Sequence, residues 1–319
     1  MKKFKDRIIK IIQLFITIAL ICVLLYFIDW NKFLITIKTA KILYVVIAGF
    51  LFFPGILFSV FRWNSILEKL KIIVSKKNLA RLYLEGSFLG NFLPTSVGGD
   101  IYKYAILDKQ FPNQKKNVIS SMLLERGSGF LILFAVNILL LPFFIKIIFS
   151  DSVYASLEMF ILLGLFFILT LFFFSKYIHI LIKKLPFKLP LYDKLYNFLL
   201  NIKQTFDRKI VIITSVYSFL FVINILAGQI FYLKAFGVFV NPLYLLFAIS
   251  IIYIIGVLPI SLNSIGITEG LTVFLYGFIG ISPEIALAVA LSGRVCLLIA
   301  NLSGGLVLLL NRTPIKTME

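Results

Sequence analysis

Runs of Ile, Leu, Phe and Val separated by short polar intervals set the pattern of this chain, and the runs are of two kinds. Six are long and mostly apolar: residues about 11–28, 42–61, 118–145, 156–174, 211–233 and 284–310. Each supplies roughly the 20 residues that cross a hydrocarbon core about 30 Å thick, so the pattern predicts six membrane-spanning helices. Two further regions, about 82–100 and 243–281, are apolar but broken by NFLPTSVGGD (91–100) and LPISLNSIGITEG (258–270). Proline, glycine, hydroxyl and carboxylate groups there would leave backbone unsatisfied in lipid, so the breaks must face protein or a wet cavity.

The flanks of the first broken region carry RWNSILEKLKIIVSKKNLAR (62–81), with six basic residues and one acid, and IYKYAILDKQFPNQKKN (101–117), with four basic residues and one acid. Lys and Arg collect on the cytoplasmic side of short loops, so both flanks belong to one side. A re-entrant hairpin turning at 94–99 satisfies both, because a limb of about 12 helical residues reaches about 18 Å, near the midplane. A second hairpin over 243–281, entering from the opposite face, lets the last helix run inward and keeps Arg312 and Lys316 with the other basic residues. The alternative is eight full spans with Pro and Gly as tolerated kinks. Either way the predicted fold is an all-α polytopic bundle.

The two regions also read as copies. Leu93 and Pro94 recur as Leu258 and Pro259, Ser96 as Ser261, Asp100 as Glu269, Pro112 as Pro283 and Arg126 as Arg294, at offsets of 165 to 171 residues. Two inverted repeat units, about 42–145 and 211–310, are expected within a single domain spanning 1–319.

Composition agrees: 61% hydrophobic side chains, 14% charged and a mean hydropathy of +1.03 exclude an ordinary soluble domain. The formal charge of +18 follows the membrane topology, with most of the 32 Lys and Arg in segments assigned to the cytoplasm. No stretch outside the spans is long enough for a nucleic-acid-binding domain. The basic start MKKFKDRIIK followed by an apolar run without a small-residue cleavage site reads as a retained anchor. A multi-pass protein of a prokaryotic plasma membrane is expected, with both termini cytoplasmic. Residues 175–210 form the largest cytoplasmic loop, in which Leu195, Phe198, Leu199, Ile202 and Phe206 share one face of an interfacial helix.

Chemistry is concentrated in few residues. Arg126 and Arg294 each lie about 13–15 Å along a predicted spanning helix, where an arginine costs about 2.5–3.5 kcal/mol on insertion scales and needs a partner. Asp100, Glu125 and Glu269 are the acids within reach, and Lys103 adds a cation. Glu125 and Arg126 are neighbours about 100° apart on a helix, so each must pair elsewhere. One reading is an ion-pair network tying hairpins to helices; the other is a site in which the arginines hold an anionic head group through charge-assisted hydrogen bonds. Ser96, Gly98, Gly99 and Asn263, with Gly266 and Thr268, sit before the second limbs, where free N–H groups favour anions unless Asp100 and Glu269 cap those starts themselves. Asn91, Asn137, Asn224, Gln229 and Asn301 read as helix-to-helix hydrogen bonds. Cys22 and Cys296 lie in apolar runs and His179 in a Lys-rich loop, so neither a metal nor a cofactor is expected. No G-x-S-x-G, HExxH or P-loop occurs in the sequence.

FLPTSVGGDIYKYAIL (92–107), LLERGSGFLIL (123–133) and LNSIGITEG (262–270) followed by GISPEIALAVALSGR (280–294) together resemble the lysylphosphatidylglycerol synthase transmembrane-region family, the flippase-like membrane proteins. The resemblance spans most of the chain. It implies a membrane module that, in the larger synthases, moves an aminoacylated phospholipid between leaflets. It places Pro94, Ser96, Gly98, Gly99, Asp100, Glu125, Arg126, Gly266, Glu269 and Arg294 on motif positions. Lys103 and Thr268 depart from it, since both stand where the family commonly has arginine. The family's synthases carry a cytosolic aminoacyl-transferase domain, whereas the longest predicted non-membrane stretch here is about 36 residues, too short to fold as one. The implied function is translocation of an anionic phospholipid, aminoacyl-phospholipid or lipid-linked precursor. Alternatives are a membrane component of a phosphatidylglycerol lysyltransferase system with a separate cytosolic synthase partner, and a scaffold that transports nothing.

Overall fold

A computed structural model describes residues 2–92, 98–148, 207–258 and 260–310. Ser96, the span expected at 156–174 and the amphipathic stripe at 195–206 lie outside the described residues. The described secondary structure is all helical. It comprises α1 (Lys2–Phe27), α2 (Trp30–Lys38), α3 (Ile42–Phe50), α4 (Phe52–Lys69), α5 (Lys76–Gly90), α6 (Gly98–Gln110), α7 (Lys115–Ile148), α8 (Arg208–Ala235), α9 (Pro242–Gly256), α10 (Ile267–Gly277) and α11 (Pro283–Leu310).

Among the described residues, four helical stretches are long and apolar enough to cross a membrane: Ile42–Lys69, Pro112–Phe144, Arg208–Ala235 and Pro283–Leu310. A fifth is the pair Ile12–Phe27 and Trp30–Lys38, bent by 86°. Asp29 makes that bend, since its carboxylate accepts hydrogen bonds from the N–H groups of Asn31 and Lys32 and starts α2 in a new direction. The chain is therefore a polytopic helical membrane protein. Its exposed large hydrophobic residues, such as Phe143, Leu139, Leu306 and Leu309, are what lipid-facing helices require.

α3 and α4 form one span with a break at Leu51, three residues before Pro54, whose ring nitrogen has no proton for the helical ladder. The side-chain amide of Asn224 on α8 donates to the Leu51 carbonyl at 2.8 Å and secures that break. α8 runs antiparallel to this span along its whole length, from Lys41 N–H on the Ala235 carbonyl at 2.8 Å to Lys69 on Asp207.

α5 and α6 pair antiparallel, as do α9 and α10. Limbs of 15, 13, 15 and 11 residues measure about 17–22 Å at 1.5 Å per residue, short of a hydrocarbon core of about 30 Å. Length thus favours hairpins over full spans in both broken regions. Close approach in the first rests on glycine: a Cβ on Gly99 would lie 2.4 Å from the Gly86 carbonyl oxygen.

The long helices cross between hairpins. α7 packs at its start against α6 and further along against α9, where Phe144 meets Tyr244 edge-on at 5.3 Å. α11 packs against α10 and, further along, against α5. There a Cβ on Gly304 would lie 1.9 Å from the Leu84 carbonyl oxygen. Gly304→Ala is therefore expected to force α5 and α11 apart and lower stability by about 1–3 kcal/mol, measured as thermal unfolding in detergent.

One expectation is corrected by the span α3–α4. The charge pattern puts Arg62 in the cytoplasmic flank 62–81, yet α4 continues to Lys69 and Arg62 is buried, at 6% exposure. A partner for its charge makes that placement possible.

Candidate functional site

Each hairpin contributes a carboxylate on its second limb, and the next long helix brings an arginine to it. In the first half Asp100, in the opening turn of α6, accepts from Nε of Arg126 on α7. In the second half Glu269, in the opening turn of α10, accepts from Nε of Arg294 on α11. In both pairs Nε of the arginine meets a carboxylate in the opening turn of the preceding helix. The arginine side chains are 29% and 22% exposed, and the carboxylate side chains 12% and 6%. Both arginines have thus found the partners the sequence demanded, and both ion pairs tie a hairpin to a long helix.

Around these pairs the halves differ. Asp100 is shared: its second oxygen takes Lys103 Nζ at 2.7 Å, one helical turn along α6. The Lys103 ammonium also lies 4.1 Å from the ring centroid of Tyr83 and 5.2 Å from that of Trp63, within cation–π range. In the second half, Arg294 Nη2 adds Thr268 Oγ1 at 2.7 Å and Glu269 turns back to accept the Gly266 N–H at 2.7 Å. Gly266 has φ +83, a left-handed conformation that glycine adopts without steric penalty. The start of α10 is thereby capped by its own Glu269, and the Gly266 N–H is not presented to an anion. Asn263 stands in the turn before it at φ 47 and ψ 34, held in a tight conformation between the limbs. Gly98 and Gly99 open α6, with Gly99 pressed on α5.

Glu125 pairs outside the hairpin. It binds Arg62 of α4 through both Nε, at 3.1 Å, and Nη2, while Arg62 Nη1 donates to Ser218 Oγ of α8 at 3.1 Å. Glu125 and Arg62 side chains are each 8% exposed, so Glu125 sits in a buried ion pair rather than on an open surface. Gly129, one turn on from Glu125, leaves the room: a Cβ there would lie 3.0 Å from Arg62 Nη1. A second buried acid, Glu85 of α5, accepts from Arg81 Nε and from the Tyr102 hydroxyl, both at 2.7 Å.

Arg62, Arg81, Glu85, Trp63 and Tyr83 are the neighbours that sequence reasoning missed. For Arg62 a signal existed, because Glu125 needed a partner other than Arg126. No group of three or more His, Cys, Asp and Glu side chains able to hold a metal ion occurs among the described residues.

Fold and paired charges define a class: a helical membrane protein in which two broken segments each present an arginine–carboxylate pair. Over residues 10–305 the chain matches the family model described as the lysylphosphatidylglycerol synthase TM region, and it belongs to that family. No curated protein and no solved structure matches the chain significantly.

Proposed function

We propose that the protein is a lipid translocase in which two inverted copies of a span–hairpin–span unit carry an anionic phospholipid, aminoacyl-phospholipid or lipid-linked head group between leaflets. The observation that carries this reading is the recurrence of Nε-to-carboxylate pairing at matching points of the two hairpins. The exchange of neighbours supports inversion: α7 leaves the first hairpin to pack on the second, and α11 leaves the second to pack on the first.

A phosphate entering from either leaflet competes with Asp100 or Glu269 for a guanidinium, which offers it planar, charge-assisted hydrogen bonds. The acyl chains stay in lipid, so only the polar group requires a protein path across the apolar core. The basic flanks support a cytoplasmic position for the termini and the base of the first hairpin, and the reading sets the protein in the plasma membrane of a prokaryote. In sealed vesicles, the reconstituted chain is expected to speed leaflet exchange of fluorescent phosphatidylglycerol in proportion to the protein added. Exchange at the protein-free rate would contradict the reading.

The description of the family favours a second reading, a membrane component of a phosphatidylglycerol lysyltransferase system working with a separate cytosolic synthase. Under it, lysylated phosphatidylglycerol accumulates in membranes only when this chain is present.

A further inference from the structure

We infer that Lys103 makes the first-half site the receptor for the head-group phosphate, by releasing Arg126 from Asp100 and leaving the site with excess positive charge. This rests on the translocase reading and adds an asymmetry to it. Lys103 and Arg126 share the single carboxylate of Asp100, one on each oxygen. The buried acids nearby each hold an arginine of their own, Glu125 Arg62 and Glu85 Arg81. Among the described residues the neighbourhood therefore holds four cations and three carboxylates. The second hairpin's ion pair has one of each among the described residues, Arg294 and Glu269. Three residues after Glu269, where Lys103 follows Asp100, stands Thr272, whose hydroxyl is spent on the Thr268 carbonyl at 2.7 Å.

Turning Arg126 toward an incoming phosphate would strand a buried carboxylate, the expensive outcome for any ion pair, were Asp100 left alone. Lys103 stays on it, steadied by the faces of Tyr83 and Trp63. Glu269, losing Arg294, would keep only neutral donors, the Gly266 N–H and the Thr268 hydroxyl. Exchange of carboxylate for phosphate is thus easier at Arg126. Lys103 is a positioning residue here, acting through Asp100 and the local charge.

The test is equilibrium binding of fluorescent phosphatidylglycerol and fluorescent phosphatidylcholine to the full chain in neutral detergent. Lys103→Met is expected to weaken phosphatidylglycerol binding by about tenfold or more, the effect of removing one nearby unit charge, and to leave phosphatidylcholine unchanged. Lys103→Arg is expected to retain the preference. Asp100→Asn is expected to tighten phosphatidylglycerol binding, because it frees both cations. A purely structural role would give the opposite sign for Asp100→Asn and would lower both lipids together for Lys103→Met. Either of those results overturns the inference, as does an unchanged preference in Lys103→Met. Displacement of the lipid probe by inorganic phosphate at the same concentration would overturn a lipid as the ligand. If binding follows the expected pattern while vesicles show only protein-free exchange, the translocase reading fails and the receptor assignment stands. If exchange is accelerated but preference ignores Lys103, the reverse holds.

Discussion

Glu125→Ala is expected to destabilise the protein by about 3–5 kcal/mol, the penalty for leaving one member of a buried ion pair without its counter-charge. Arg62 would remain between α4, α7 and α8 with Ser218 as its hydrogen-bonding partner and the Phe221 ring at 5.8 Å. Measured against a typical total stability of about 5–15 kcal/mol, the loss removes much of the folded population. The expected observation is a large fall in the thermal unfolding midpoint in detergent, with a matching fall in membrane yield. Arg62→Met combined with Glu125→Leu should recover most of it, because an apolar pair of similar volume strands no charge. A double variant as unstable as the sum of its parts would show that the pair itself, and not the stranded charge, carries the stability.

Arg126→Ala and Arg294→Ala are expected to act on transport instead. Each removes a group that offers a phosphate charge-assisted hydrogen bonds, individually worth about 1.5–3 kcal/mol, so exchange of labelled phosphatidylglycerol should fall by about tenfold to a hundredfold. Lysine at either position should restore part of the rate, since it keeps the charge and loses the planar fork. Stability should suffer less than in Glu125→Ala. The arginine side chains are 29% and 22% exposed, and the acids they leave have other donors: Lys103 for Asp100, and the Gly266 N–H for Glu269. Variants that fold normally and still exchange lipid at the wild-type rate would confine these arginines to an architectural role.

Local signals carried far in this chain. Proline and glycine within apolar runs marked both broken segments, like-charged flanks singled out the first as a hairpin, and the position of each arginine required a carboxylate that Asp100 and Glu269 duly supply. What escaped was tertiary. Arg62 borders a lysine-rich stretch and so counted as a topology marker, whereas its burial depends on Glu125, 63 residues away. The α1–α2 bend at Asp29 fell between two predicted spans, where the nine residues from Trp30 to Lys38 are too few to impose a clear period. The cage around Lys103 joins residues of α4, α5 and α6, and nothing in their spacing announces that Trp63 and Tyr83 converge on one ammonium. Lys103 itself was legible as a charge near the turn. Its sharing of Asp100 with Arg126 was not.

The central claim is that the two broken segments dip into the membrane from opposite faces. Single cysteines at Lys77 and Asn113, and at Phe239 and Ser282, bracket the two hairpins in a chain whose Cys22 and Cys296 have been replaced. Labelled with a membrane-impermeant thiol reagent in oriented vesicles, the first pair should react only from the cytoplasmic side and the second only from the external side. A pair divided between the faces would mean that its segment crosses completely, and would contradict the account.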